Sequence, residues 1–275
     1  MTTVGLVGAG FHFETLLRLF EATSTRVLLW QPGDEGDEAE SLPGNVELVS
    51  RERMSDVPLI FFCVPIDICR TVARRLGDVM SGRQVVVHTS RSLETLSLKS
   101  LSTILQEETP TQRFGFLTGP VLVEDVKAGR PSSGVCASLF PEVHDLVEEC
   151  LMSPIFRVYR TTDITGAEIS AAYGRVIAMI AGLSHALGLG TSLQATIFAR
   201  GLAEMARFVV FREGFERTAF GLSGAGNLFA DMHLEGSTDY QIGMFLAGSK
   251  KHAAAAVRKK FGWRGDELLN LLDAL

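Results

Sequence analysis

For its first 160 residues the chain alternates short, unbroken apolar runs with stretches whose apolar residues recur at helical spacing. Nothing else in the sequence restricts the fold as much. Strands that read as continuous apolar runs are covered on both faces, as in a parallel sheet flanked by helices. Thr3 to Gly8, Arg26 to Trp30, Leu59 to Val64 (stopped by Pro65) and Gln84 to His88 read as such strands, and residues 113–119, 132–138 and 155–160 add more. Between the first two, Phe13, Leu16, Leu17 and Phe20 mark one face of a helix over Phe13 to Glu21. Gln31 to Asn45 is polar, acidic and broken by Gly and Pro, and reads as a loop. At about residue 163 the pattern changes. Asp163 has the place of an N-cap, an Ala/Ile/Gly-rich helix runs on to about Leu187, and helical periodicity without a convincing strand continues to Leu275. The expected fold is therefore a doubly wound α/β domain over residues 1–162, followed by an all-α domain over 163–275.

Composition narrows the function classes. Hydrophobic residues make up 46% and charged residues 21%, which excludes wholesale disorder. The 26 basic and 32 acidic side chains give a net charge of −6, which argues against nucleic acid as a partner because phosphates demand a basic surface. Cys63, Cys69, Cys136 and Cys150 show no C-x-x-C spacing and no accompanying His cluster, so neither a disulfide framework nor a metal is expected. The start, MTTVGLVGAGF, lacks the basic segment of a signal peptide, and the apolar run Val176 to Leu183 is too short to span a bilayer. A cytoplasmic protein without a membrane partner is expected.

Gly8-Ala9-Gly10-Phe11-His12-Phe13 follows the first strand and opens a helix. It is a G-x-G-x-x-G dinucleotide fingerprint with Phe13 at the third glycine. The first glycine makes the turn, the second lets a pyrophosphate approach backbone N–H groups, and the third permits close helix–strand packing, so Phe13 is expected to tilt the helix. Gly8, Ala9, Gly10, Phe11 and His12, with Val64 and Pro65 ending the neighbouring strand, are the expected cofactor-binding residues. The second strand ends at Trp30-Gln31, where no Lys or Arg waits for a 2′-phosphate. Gln31 is a further expected cofactor-binding residue, and Asp34 or Glu35 beyond it either reaches the ribose or, as the plainer reading, belongs to a solvated loop. The cofactor is NAD or NADP, with NAD favoured.

Three further stretches, FGFLTGPVLVEDVKAGRP from Phe114, FRVYRTTDITGAEISAAYGRVIA with RGLAEM in the segment from Phe156 to Arg207, and FGLSGAGNL near Phe220, resemble in combination the NAD(P)-dependent glycerol-3-phosphate dehydrogenases. The resemblance covers residues 1 to about 245. It implies a Rossmann-like domain followed by a helical substrate domain. It also implies hydride transfer between a nicotinamide and a small anionic hydroxy or keto substrate such as glycerol 3-phosphate or dihydroxyacetone phosphate.

The same resemblance fails where that family does its chemistry. Its Lys-Asn pair, whose lysine is the proposed general acid/base, aligns with Gly174 and Arg175. Its Lys-Gly after a strand becomes Arg91-Ser92, its GLGDL aspartate becomes Asn227, and the threonine four residues on becomes Asp231. Its phosphate-binding Ser-Arg-Asn becomes Ser237-Thr238-Asp239, and its Gly-Asp-Asn becomes Gly190-Thr191-Ser192. Arg91 and Arg175 therefore face Asp231 and Asp239 with no net charge, and remain as candidate anchors for an anion such as a carboxylate. Arginine stays protonated and cannot serve as a base. Arg91, Arg175 and Asn227 are the expected catalytic positions. His185, about three helical turns past Gly174, is a replacement proton donor or else a core histidine. His88, ending a strand near Arg91, is a further candidate. Asp231-Met232-His233 reads as a helix end, and Lys250-Lys251-His252 with Arg258-Lys259-Lys260 as a solvated basic face. Either the substrate differs from the family's or the site is a degenerate dinucleotide-binding or interaction module. The apolar helices over residues 163–212 suggest a homodimer, as does an end at Leu275 short of the family's usual C-terminal helices.

Overall fold

The computed structural model describes residues 2–33, 42–95, 97–233, 237–248 and 253–274. The chain divides into two compact units. The first holds Met1–Ser90, Leu101–Leu117 and Val121–Thr162, and the second holds Arg91–Ser100, Thr118–Pro120 and Asp163–Leu275.

The first unit is built on β1 (Thr3–Val7), α1 (Phe13–Ala22), β2 (Arg26–Trp30), β3 (Val46–Leu48), β4 (Leu59–Phe62), α2 (Ile66–Gly77), β5 (Val85–His88), α3 (Leu101–Glu108), β6 (Phe114–Thr118), α4 (Val123–Lys127), β7 (Ser132–Ala137), α5 (Pro141–Leu151) and β8 (Phe156–Thr161). Among the described residues the sheet runs β3-β2-β1-β4-β5-β6-β7-β8. The pairs from β3 through β6, and β7 with β8, are parallel. The unbroken apolar runs are explained by burial on both faces. In β4, Leu59 and Phe61 join one core layer while Ile60 and Phe62 join the other, and Val85 and Val87 are likewise divided from Val86. The period of two is present, but both faces are apolar, so it is invisible as polarity. Only β3 goes beyond the expected strands. Three residues at the sheet edge, paired by Val27↔Val46 to Leu29↔Leu48, are too few to carry a periodic signal. Phe13 is the first residue of α1 and packs, half-buried, against the core layer that contains Leu16 and Phe20.

The second unit is helical: α6 (Ile164–Ala186), α7 (Gly190–Phe211), α8 (Glu216–Ala219), α9 (Asn227–His233), α10 (Thr238–Ala247), α11 (Ala253–Phe261) and α12 (Trp263–Ala274). Asp163 caps α6 as expected, accepting from the Gly166 N–H at 2.8 Å. Its second oxygen takes the Phe215 N–H at 2.8 Å and the Thr218 hydroxyl at 2.6 Å, so one carboxylate ties the start of α6 to the segment entering α8. α6 and α10 approach closely because each offers a glycine. A Cβ on Gly182 would lie 2.0 Å from the Tyr240 carbonyl oxygen, and one on Gly243 would lie 1.9 Å from that of Met179. No described helix is long and apolar enough to cross a membrane. Gly243→Ala forces these backbones apart. It should cost about 1–3 kcal/mol, read as a lower urea midpoint at unchanged slope.

Candidate functional site

In the first unit, the chain leaves β1 through a turn that two glycines make possible. Gly8 has φ +82°, in the left-handed region, and donates its N–H to the Trp30 carbonyl at 3.0 Å. The Gly10 N–H reaches the Cys63 carbonyl at 2.5 Å. A Cβ on Gly8 or Gly10 would stand 2.6 or 2.8 Å from that same carbonyl oxygen, so the end of β4 dictates both residues. The Thr89 hydroxyl donates to the Phe11 carbonyl at 2.6 Å and lies 3.3 Å from the Cys63 sulfur, fixing the turn from the β5 side. Burial pushes the Cys63 thiol up to about 12, so it serves as packing rather than as a nucleophile. His12 precedes α1 at φ 59°, and its side chain makes no cap hydrogen bond to α1. Glu14, the acidic residue there, pairs with Lys127 at 2.5 Å.

Val7 pairs with both Trp30 and Phe62, so Gly8–His12, Gln31 and Val64–Pro65 all follow the carboxyl ends of adjacent parallel strands. The strand order reverses there, and ligands of open α/β sheets bind at such reversals. Gln31 is exposed. Asp34 and Glu35 lie outside the described residues, as do Lys250, Lys251 and His252. His88 follows the same edge but has no exposed surface. Its ring stacks on Phe116 at 4.8 Å, and Nε2 meets the Ser102 hydroxyl at 2.9 Å. It is a core residue.

The second unit gathers Arg91, Thr118, Arg175, Asn227, Asp231, Asp239 and Glu267. Arg175 has no exposed surface. Its Nε and Nη2 donate to the two oxygens of Asp239 at 2.9 and 3.0 Å, and its Nη1 donates to the Arg91 carbonyl at 3.4 Å and faces Glu267 at 3.7 Å. Burial works against its charge, but Asp239 and Glu267 outweigh that and raise its pKa further. Arg91 donates through Nη2 to Asp231. Burial lifts the Asp231 pKa above the usual aspartate range, against the opposing pull of Arg91. Asn227 donates to the Thr118 hydroxyl and the Ser223 carbonyl, both at 3.0 Å.

Arg175, expected as an anion anchor, is thus enclosed and fully engaged, so it organises the cluster from behind. His185 meets the Tyr240 hydroxyl through Nδ1. It opens on a separate cavity of about 600 Å³ lined by Thr191, Gln194, Phe198, Phe229 and Met232. Glu267 and Thr118 escaped the sequence reading. Glu267 arrives from α12, far along the chain, and no local pattern links it to Arg175. Among the described residues no group of three His, Cys, Asp or Glu side chains is arranged to hold a metal ion.

A parallel sheet with a glycine turn at its reversal, followed by a helical unit, defines a Rossmann-like α/β class with an all-α second domain. Comparisons with known proteins agree. Profiles of the NAD-dependent glycerol-3-phosphate dehydrogenase N-terminus and C-terminus match residues 38–143 and 163–262. The glycerol-3-phosphate dehydrogenase [NAD(P)+] of Moorella thermoacetica is 32% identical over 259 residues, 89% of this chain and 77% of that protein. The one from Acinetobacter baylyi is 34% identical over 206 residues, 75% of this chain, and the match spans only 56% of that relative's length. In fold, the glycerol-3-phosphate dehydrogenase of Coxiella burnetii superposes with a TM-score of 0.85 at 23% identity, covering 98% of this chain and 89% of that one. The chain belongs to the NAD-dependent glycerol-3-phosphate dehydrogenase family.

The enclosed arginine gives a direct test of the cluster. Arg175→Met strands the Asp239 carboxylate in the interior and should cost about 3–5 kcal/mol in equilibrium denaturation. Adding Asp239→Leu should recover part of that loss.

Proposed function

We propose that this chain is an NAD(P)-dependent dehydrogenase acting on a CH–OH group, with a substrate changed from the family's. Family membership and the glycine turn support the cofactor. Gly8, Ala9, Gly10, Phe11 and His12 would hold the pyrophosphate against the start of α1, with Gln31 toward the ribose and Val64 and Pro65 beside the turn. NAD is favoured, since Gln31 carries no charge for a 2′-phosphate. When bound, the nicotinamide supplies or accepts a hydride. Arg91 and Asn227 contact the small substrate, while Arg175 positions them and His185 stands apart.

The observation that carries the changed substrate is the pairing of both arginines with carboxylates. A dianionic phosphate entering this cluster would compete with Asp231 for Arg91 and, among the described residues, find no second cation released. Glycerol 3-phosphate and dihydroxyacetone phosphate should therefore be poor substrates. The same pairing supports a second reading, a dinucleotide-binding module without catalysis.

A thermal-shift titration with millimolar NAD(H) and NADP(H), joined to an assay of NADH oxidation by dihydroxyacetone phosphate, tests the proposal. Stabilisation by a dinucleotide is expected, and it should disappear in Gly10→Asp and in Phe11→Asp, the second of which leaves both glycines in place. Turnover of dihydroxyacetone phosphate within tenfold of ordinary family members would refute the changed substrate.

The helical unit is further proposed to form a homodimer. α7 buries only Met205, Ala206 and Val209, while Leu193, Val210 and Phe211, the last 77% exposed, present apolar surface. Sedimentation should show twice the 29.9 kDa chain mass, and a monomer at high concentration would overturn the dimer.

A further inference from the structure

A dehydrogenase must move a proton at the substrate oxygen, and neither arginine of the cluster can release one near neutral pH. Among the described residues three carboxyl groups surround the two guanidiniums. They are not equivalent. Asp239 is closed by the two-pronged clamp of Arg175, and Glu267 has no exposed side-chain surface. Asp231 accepts from one arm of Arg91 and keeps 12% of its side chain open.

Asp231 also has the right neighbours. It lies one helical turn beyond Asn227 on α9, on the same face, and Asn227 is pinned by Thr118 and Ser223. Beside it, the Arg91 Nε is buried without a hydrogen-bond partner, and so is the Ser92 hydroxyl. Buried donors in this state call for an acceptor, which a substrate oxygen supplies.

Building on the dehydrogenase reading, we propose that Asp231 is the catalytic acid and base of this site. In the reductive direction, hydride from the reduced dinucleotide forms the new C–H bond at the substrate's carbonyl carbon. The carbonyl π pair moves to oxygen and takes the proton from the Asp231 carboxyl. The ketone becomes an alcohol, the dinucleotide is oxidised, and the carboxylate left on Asp231 faces Arg91. In the oxidative direction that carboxylate receives the hydroxyl proton. The charged groups that act on Asp231 are Arg91 and Arg175, which favour the carboxylate, and Asp239, which favours the acid, as burial does more strongly.

The test uses the full chain with Asp231→Asn and Asp231→Glu. NADH and NADPH oxidation is followed with dihydroxyacetone phosphate, dihydroxyacetone and small keto acids, together with ¹³C-carboxyl titration of aspartate-labelled protein and dinucleotide affinity. Asp231→Asn should lower kcat by about 10²–10⁴-fold without moving dinucleotide affinity, and should remove both a pH limb of kcat and one carboxyl signal titrating above the ordinary aspartate range. Asp231→Glu, whose melting reports folding, should restore part of kcat. An active wild type with kcat unchanged in Asp231→Asn overturns this assignment alone, and so does an elevated carboxyl titration that survives the substitution. No turnover of any probe by the wild type overturns the dehydrogenase reading and this assignment with it.

Discussion

A guanidinium with no exposed surface is tolerated only when nearly every donor finds an acceptor and its charge is met by carboxylate. Arg175 satisfies this with both oxygens of Asp239, the Arg91 carbonyl and the nearby Glu267. Four separate stretches of the second unit meet there: the long helix α6, the start of α10, α12, and the segment that holds Arg91. Apolar packing alone would not specify that meeting, because Leu, Ile and Ala faces slide past one another at small cost. A planar fork that accepts one arrangement of partners fixes the register, and the glycines at positions 182 and 243 let α6 and α10 come close enough to use it.

The electrostatics of the candidate site follow from that arrangement. Once Asp239 is committed to Arg175, the other described cation of the cluster is Arg91, also buried, and Asp231 holds one of its arms. Under the proposed reading, a cluster so neutralised suits a polar oxygen that needs one donor better than a doubly charged phosphate. Its acid chemistry shifts as well, because burial raises the Asp231 pKa and favours its protonated form, against the opposing pull of Arg91.

The first unit depends on a different constraint, the approach of two backbones. The end of β4 comes so near the β1–α1 turn that positions 8 and 10 admit no side chain, and Thr89 closes the turn from β5. Phe13 is accommodated by lying against the core layer of α1. The consequence is an α1 that starts beside a turn without side chains at positions 8 and 10, at the edge where the strand order reverses.

Much of this was legible in the linear sequence because it rests on local signals. Continuous apolar runs mark strands buried on both faces, glycines mark the turn, Asp163 marks the start of α6, and the shift to helical periodicity near residue 163 marks the change of architecture. The residue types in the candidate site were legible too, including the balance of Arg91 and Arg175 against Asp231 and Asp239. The sequence could not show that both arginines are buried and Arg175 wholly enclosed, or that Glu267 joins from α12, or that His88 and His185 turn to Ser102 and Tyr240. Those outcomes depend on burial and on partners 14 to more than 90 residues away in the chain. Periodicity reports which face of an element is apolar. Only the tertiary structure decides which polar side chains that face encloses, because desolvation is set by everything packed around a group rather than by its neighbours along the chain.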